Sequence, residues 1–444
     1  MKLKLILIAI TAIAVQTGHS QNTWTLDTCI NYALKNNLNI LKQDLTVSVL
    51  RNNYDITRFN ALPSVNANLN GGVTFGQSFS QDKGGFINEV TTGISGEVSA
   101  NVTLFNGLKN FHSIRRTEKE LEAAMANNEA FANDIALLIV NYYLQILYNQ
   151  EQKNVAKTQL ATTKSQIERT EQLFNAGSVP KGDLLELKAQ AANERSQIIS
   201  YTNLEREARL NLKQTMNVQV DTLIIASPQN IDAEKLYASI QNIDSIYSIA
   251  IQHLPEVKAA KAKIESSLHS IDVAKADYYP SLYLGGSVST RYNDAAVLPQ
   301  SDNYSFGDQI KDFRNAYIGM TLSIPIFNKF HTKLRVTNSE IDYEISKQDE
   351  LLTLQDIYKR IEAAGNDAHA AFVSYKASKE SLTANQEAFA YAEERFNSGV
   401  INSVDYNMVK ANLTKAQVNM VNARYELIFK VKILDFYMGK DFEI

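Results

Sequence analysis

Six histidines, at positions 19, 112, 253, 269, 331 and 369, are the first side chains to test for chemistry. No pair stands at metal-ligand spacing and no carboxylate cluster surrounds them, so the linear order names no metal centre. No glycine-rich phosphate loop follows a strand, and no nucleophile elbow is present. No cofactor and no catalytic group are therefore expected, and the chain does not read as an enzyme. The one cysteine, Cys29, excludes an intrachain disulfide. As a lipid-bearing N-terminal residue it would need a processing site directly before it. Asp27 and Thr28 are poor for that and the apolar run ends at Val15, so Cys29 reads as a half-buried helix residue.

The elements that must position everything else begin after an export signal. Lys2 and Lys4 precede an apolar run over residues 5–15, and small and polar residues lead to Ser20, so residues 1–20 read as a signal peptide. That run is too short to span a bilayer, and no later one reaches eighteen uninterrupted apolar residues. Entry into a membrane would have to be as a β-barrel. Without the signal the net charge moves from −4 to about −6, spread along the chain, and nucleic acid is not an expected partner.

Comparing the chain with itself reveals a duplication. Ala33, Leu34 and Asn36 match Ala250, Ile251 and His253, and Leu62-Pro63-Ser64 matches Tyr279-Pro280-Ser281, both at an offset of 217. From Leu104-Phe105-Asn106 against Ile326-Phe327-Asn328 onward the offset is 222, and it holds through Phe174-Asn175-Ala176-Gly177 against Phe396-Asn397-Ser398-Gly399. Leu212 and Met216 still pair with Leu434 and Met438. The five-residue jump falls between the proline-serine steps and the Phe-Asn steps, where a loop is expected.

Inside that interval the period is two. Val65, Ala67, Leu69, Gly71, Val73 and Phe75 alternate with polar or small residues, as do Ile94, Gly96, Val98, Ala100, Val102 and Leu104. Ile318, Met320, Leu322, Ile324 and Ile326 repeat the pattern in the second half, and residues 282–289 are a weaker version. These are four strands with one apolar and one polar face. A soluble antiparallel sheet packed on helices would alternate in the same way. The polar positions, however, are Asn, Ser, Thr and Gly with few charges, as in a wet lumen. Phe75, Phe105, Tyr279 and Phe327 lie near strand ends, as in the aromatic girdles of a membrane barrel.

Neither glycine nor proline occurs between Gly107 and Gly177, and only Gly365 interrupts the stretch from Pro325 to Gly399. Each stretch allows a helix of over sixty residues, roughly 100 Å long at 1.5 Å per residue. Leu121, Met125, Asn128, Ala132, Ile135, Ile139, Tyr142 and Ile146 form a narrow stripe on the first, which suits laterally packed coiled-coil walls better than a buried core. Shorter helices are expected near 26–60, 182–216, 245–279 and 404–437, with residues 217–244 as an irregular connector holding a short strand. Four strands per chain cannot close a membrane barrel, for which about eight are the practical minimum. Open edges in hydrocarbon would strand unpaired backbone groups, so a cyclic oligomer must close the ring.

These features resemble the TolC-type outer membrane efflux protein family, over essentially the whole mature chain. The most specific pieces are the paired segments over residues 171–183 and 395–405, with the opening Leu26-Asp27 and Ala33-Leu34 pattern. The resemblance implies an α+β membrane protein with an internal two-fold repeat, in which a long α-helical coiled-coil barrel adjoins a transmembrane β-barrel built from four strands per protomer. It divides the chain into a signal peptide over 1–20, a first efflux repeat over 21–232 with strands near 62–79 and 90–106, and a second over 233–444 with strands near 280–293 and 313–327. It further implies a homotrimer in outer-membrane lipid, with the helical tunnel in the periplasm. The partners would be a periplasmic adaptor of the membrane fusion type and an inner-membrane efflux pump or ABC transporter.

Carried over by position, Gly177, Ser178, Val179, Gly399, Val400 and Ile401 are adaptor-docking tip residues. The resemblance likewise implies that Asp405 and its counterpart Asp183 line a periplasmic gate. Glu186 follows Asp183 by three residues, whereas the matching acid after Asp405 is replaced by Met408. Three copies of Asp405 about an axis would make a carboxylate ring that favours cations. The competing reading is a helix N-cap at Ser403 or Asp405. For the whole chain, the competing reading is a secreted coiled-coil structural or surface protein without channel activity.

Overall fold

The computed structural model describes residues 23–80, 84–88, 90–219, 223–226, 232–238, 240, 242–296 and 304–440. The expected signal peptide lies outside the described residues. The described residues form two compact units, each assembled from separate stretches: those within 1–44, 127–257 and 353–444 in one, those within 45–126 and 258–352 in the other.

The two longest helices, α3 (Lys109–Asn175) and α9 (His331–Asn397), contain 67 residues each and correspond at the offset of 222. Gly365 does not break α9. A Cβ there would lie 3.0 Å from Ile243 Cδ1, so the glycine allows close approach of α6 (Ile243–His253). Two of the shorter helices are split. The first is α1 (Leu26–Asn36) and α2 (Leu38–Phe59), parted at Asn37. The Asn37 side-chain oxygen accepts from the amides of Asn39 (2.8 Å) and Ile40 (3.1 Å), and its NH₂ donates to the Thr215 carbonyl (2.6 Å). The second is α6 and α7 (Pro255–Lys275); Pro255 cannot donate an interior hydrogen bond and opens α7 at its first position instead. The helices α4 (Lys181–Met216) and α10 (Ser403–Tyr437) run unbroken, and a short α5 (Ala233–Ala238) lies in the connector between α4 and α6.

The narrow stripe expected on α3 holds only in part. Met125 is exposed, while Ile135, Ile139 and Ile146 are buried together with Ala136, Val140, Tyr143, Leu144 and Leu147, a face too broad for a simple coiled-coil seam. The connector is the reason. Leu223 and Ile225 join this core, Ile225 forms a parallel bridge with Trp24, and the Tyr143 hydroxyl donates to the Ala226 carbonyl at 2.6 Å. Cys29 lies in the same core and is fully buried rather than half-buried; burial pushes its thiol up to about 12. One window of α3 is apolar enough by composition to cross a membrane, and 44% of it is buried inside the protein.

In the other unit, β1 (Ser64–Thr74), β4 (Thr91–Asn106), β5 (Ser281–Asn293) and β6 (Asn315–Ser323) form one antiparallel sheet in the order β1-β4-β5-β6. A short hairpin, β2 (Gln77–Ser80) and β3 (Gly85–Asn88), extends beyond β1. A short helix, α8 (Phe306–Asp312), which the sequence did not suggest, is tied to β5 through Thr290 and Gln309.

Candidate functional site: the open sheet, the helix tips and a histidine cluster

Residues paired across an antiparallel ladder share a face, so the register sorts the sheet. Val65, Ala100, Gly286 and Ile318 form one row, Ala67, Val98, Val288 and Ala316 the next, and Val102, Leu284 and Met320 another. The opposite face carries Asn66, Ser99 and Ser287, then Asn68, Glu97, Ser289 and Asn315. A soluble sheet would bury the apolar face against helices. Here Leu69 and Ile318 are each 79% exposed, and Val65, Val98, Met320 and Leu322 are exposed as well. Among the described residues, the edge strands β1 and β6 each pair with one neighbour only. The four aromatics at or near strand ends, Phe75, Phe105, Tyr279 and Phe327, are all exposed.

The tips are built identically in both repeats. Gly177 (φ +75°) and Gly399 (φ +73°) adopt the left-handed conformation. The Gly177 amide bonds the Phe174 carbonyl (2.9 Å) and the Ser178 amide that of Leu173 (2.9 Å); Gly399 and Val400 repeat this on Phe396 (3.1 Å) and Arg395 (2.8 Å). That is the Schellman arrangement, which satisfies the last carbonyls of α3 and α9. Ser178 and Val400 are exposed, while Val179 and Ile401 are half-buried. Arg169 reaches from the first tip to the second, bonding the Asn397 side chain and donating to its carbonyl at 3.0 Å.

Neither candidate cap is the cap of α10. Asn402 takes that role, its side-chain oxygen accepting from the Asp405 amide at 2.8 Å, which places Asp405 three positions inside the helix. Ser403 is buried and donates to Glu186 at 3.3 Å. Asn402 was hard to pick out in advance because Ser403 and Asp405 are equally good capping types within a turn of it. The Asp405 side chain is thereby left exposed. Asp183 lies in the first turn of α4 and is half-buried. Glu186 is held by Ser403 and by Asn407, whose amide donates at 3.2 Å. Met408 is exposed beside this pair of helix starts.

Below the tips lies a network with no signal in the linear sequence. Lys410 of α10 and Glu194 of α4 pair at 3.0 Å with side chains 6% and 2% exposed, and Thr163 of α3 donates to Glu194 at 2.6 Å and touches Lys410. Nearby, Tyr406 is fully buried, stacks on Phe396 with centroids 4.6 Å apart, and has its hydroxyl pushed up to about 12 by burial.

In the linear sequence no carboxylate cluster surrounds any histidine, but packing gathers one group. His112 of α3 comes together with His269 and Asp272 of α7, one donor atom from each lying within 4.8 Å of the others. Only the three-residue step from His269 to Asp272 was visible in the sequence; His112 arrives through packing. Burial, reinforced by His112, holds His269 below its ordinary value. His369 instead hydrogen-bonds the Tyr237 hydroxyl at 2.9 Å, and His253 bonds the Ile249 carbonyl at 3.0 Å.

Comparison with known proteins bears on the whole arrangement. The family model for the outer membrane efflux protein matches residues 29–218 and 246–440. Outer membrane protein TolC of Vibrio cholerae serotype O1 is 21% identical, over 72% of this chain and 70% of its own length. The pyoverdine export outer membrane protein OpmQ of Pseudomonas aeruginosa is 25% identical over 59% of this chain, the match spanning 52% of that relative, about half. Among solved structures, the outer membrane protein VceC from Vibrio cholerae superposes with a TM-score of 0.76 at 14% identity, covering 94% of this chain and 97% of that one. The chain belongs to the outer membrane efflux protein family: it is a protein of the outer membrane with the fold of an efflux channel protomer.

Proposed function

We propose that three copies of this chain form a passive export channel through the outer membrane, fed by a periplasmic adaptor and an inner-membrane efflux pump or ABC transporter. The observation that carries the reading is a sheet with its apolar face uncovered and both edges open. Lipid satisfies the face, and only neighbouring copies satisfy the edges. Each repeat, residues 21–232 and 233–444, contributes two strands, so three chains supply a twelve-stranded barrel. Exposed apolar residues on α2 (Leu45, Val49, Ile56, Phe59) and on α9 (Leu334, Ile341, Ile345, Leu352) provide further surface for helix packing between copies.

In this reading the tip residues Gly177, Ser178, Val179, Gly399, Val400 and Ile401 dock the adaptor, with the Schellman turns giving them a fixed presentation. Asp405 and Asp183 form acidic rings at the periplasmic entrance. The exposed Asp405 carboxylate favours this role over capping, since Asn402 already caps the helix.

The protein is expected to fractionate with outer membranes as a trimer and to conduct ions in planar bilayers. Asp405→Asn should lower cation preference or change single-channel conductance, with the trimer intact. Recovery of a soluble monomer would end the channel reading, and unchanged selectivity and conductance would end the gate assignment. Docking is tested by a cysteine in place of Ser178 or Val400. Because Cys29 is buried, its thiol stays protonated at neutral pH and the introduced thiol is the one that reacts. It should crosslink to the adaptor, whereas a cysteine in place of the sheet residue Ser287 should not.

A further inference from the structure

The cluster of His112, His269 and Asp272 is not used by the proposed conduction path. His112 occupies the first turn of α3, just after the turn out of β4, and the other two sit one helical turn apart near the end of α7. The Nδ1 atoms of His112 and His269 are buried and have no hydrogen-bond partner. The three residues are half-buried, and imidazole nitrogens shut off from water without a hydrogen bond ordinarily find a carbonyl, a water or a metal.

The neighbouring charges are already engaged. Arg115 pairs with Glu118 at 2.8 Å and lies over the Phe111 ring, and Glu265 pairs with Lys119 at 2.7 Å. Asp272 is left as the carboxylate facing the two rings, with its Oδ2 atom 3.4 Å from His112 Nδ1 and the ring centroids 5.8 Å apart. Donor atoms bound tetrahedrally at about 2.0–2.1 Å stand about 3.3 Å from one another. One edge of the site therefore has the bound spacing already. The three donor atoms otherwise lie within 4.8 Å of one another, and rotation about side-chain torsions is the movement that would bring them to bound spacing.

We propose that His112, His269 and Asp272 bind one divalent first-row transition-metal ion of the zinc type, which clips the start of α3 to the end of α7 beneath the sheet. Two imidazoles and one carboxylate select zinc, cobalt(II) or nickel(II) over magnesium or calcium, which prefer oxygen donors throughout. Water completes the coordination. The ion reinforces the adjacent link between the same two elements, the 2.7 Å ion pair from Lys109 to Asp277 just beyond α7, and so strengthens the base from which the strands rise.

The test uses the full chain, purified without a histidine tag in detergent and stripped with EDTA. Titration with cobalt(II) should give visible d–d absorption saturating at one ion per chain, and zinc should raise the melting temperature where magnesium does not. His269→Gln and, separately, His112→Gln should each weaken cobalt binding at least tenfold and abolish the zinc-dependent stabilisation. Circular dichroism of each metal-free variant confirms that it is folded, and Asp272→Asn serves as a third ligand variant if either histidine variant is not. Cobalt binding of wild-type strength in the folded variants would place the ion elsewhere and overturn the proposal. So would the absence of any d–d absorption in the wild type.

Discussion

Gly107 marks the turn from β4 into α3, and its backbone is left-handed at φ +65°. A Cβ there would lie 2.7 Å from the Ala276 carbonyl oxygen and 2.8 Å from Tyr279 Cβ. Gly177 has a similar φ but open space around it, so the two glycines separate backbone preference from steric fit. Gly107→Ala should cost about 1–3 kcal/mol and more than Gly177→Ala, which should cost about 1–2 kcal/mol for the φ alone. Denaturant unfolding of the two variants side by side measures the difference, and equal losses would contradict the close approach. The equivalent turn of the second repeat places Lys329 and Phe330 at positive φ without a glycine, so this backbone shape belongs to the architecture and not to one residue type.

Among the elements, α3, α4 and α10 are joined by the buried pair of Lys410 and Glu194 with Thr163. A buried pair contributes little net stability compared with apolar residues of like volume, because both ions lose water; breaking one side leaves a charge uncompensated. Glu194→Gln should therefore destabilise by about 3–5 kcal/mol, and Glu194→Leu combined with Lys410→Met should recover most of that. Thermal melts of the single and double variants decide the matter; a double variant as weak as the single one would mean that the pair is needed for packing geometry rather than for charge balance.

For the whole molecule, the decisive surface is the apolar face of the sheet. Ile318 stands in its outer strand, 79% exposed, in a row with Val65, Ala100 and Gly286. Ile318→Lys would place a charge in hydrocarbon, at about 2–4 kcal/mol near the bilayer midplane. It should reduce recovery of trimer from outer membranes, whereas Ser287→Lys on the polar face should be tolerated. Equal recovery of both variants would mean that lipid does not cover the Ile318 face.

Legible in the linear sequence were the duplication, the two helices of equal length, the alternating strands and the glycine stops at 177 and 399. Each is written in local periodicity or in residues that interrupt it, and local patterns survive without knowledge of neighbours. Tertiary structure decided what depends on residues distant in the chain. It set the sheet register, widened the α3 core where Leu223 and Ile225 cover it, chose Asn402 over two rival caps, buried Lys410 against Glu194, and brought His112 to His269 and Asp272. The physical reason is that side-chain type fixes what a helix or strand face can bury, while the partner it meets is fixed only when elements pack.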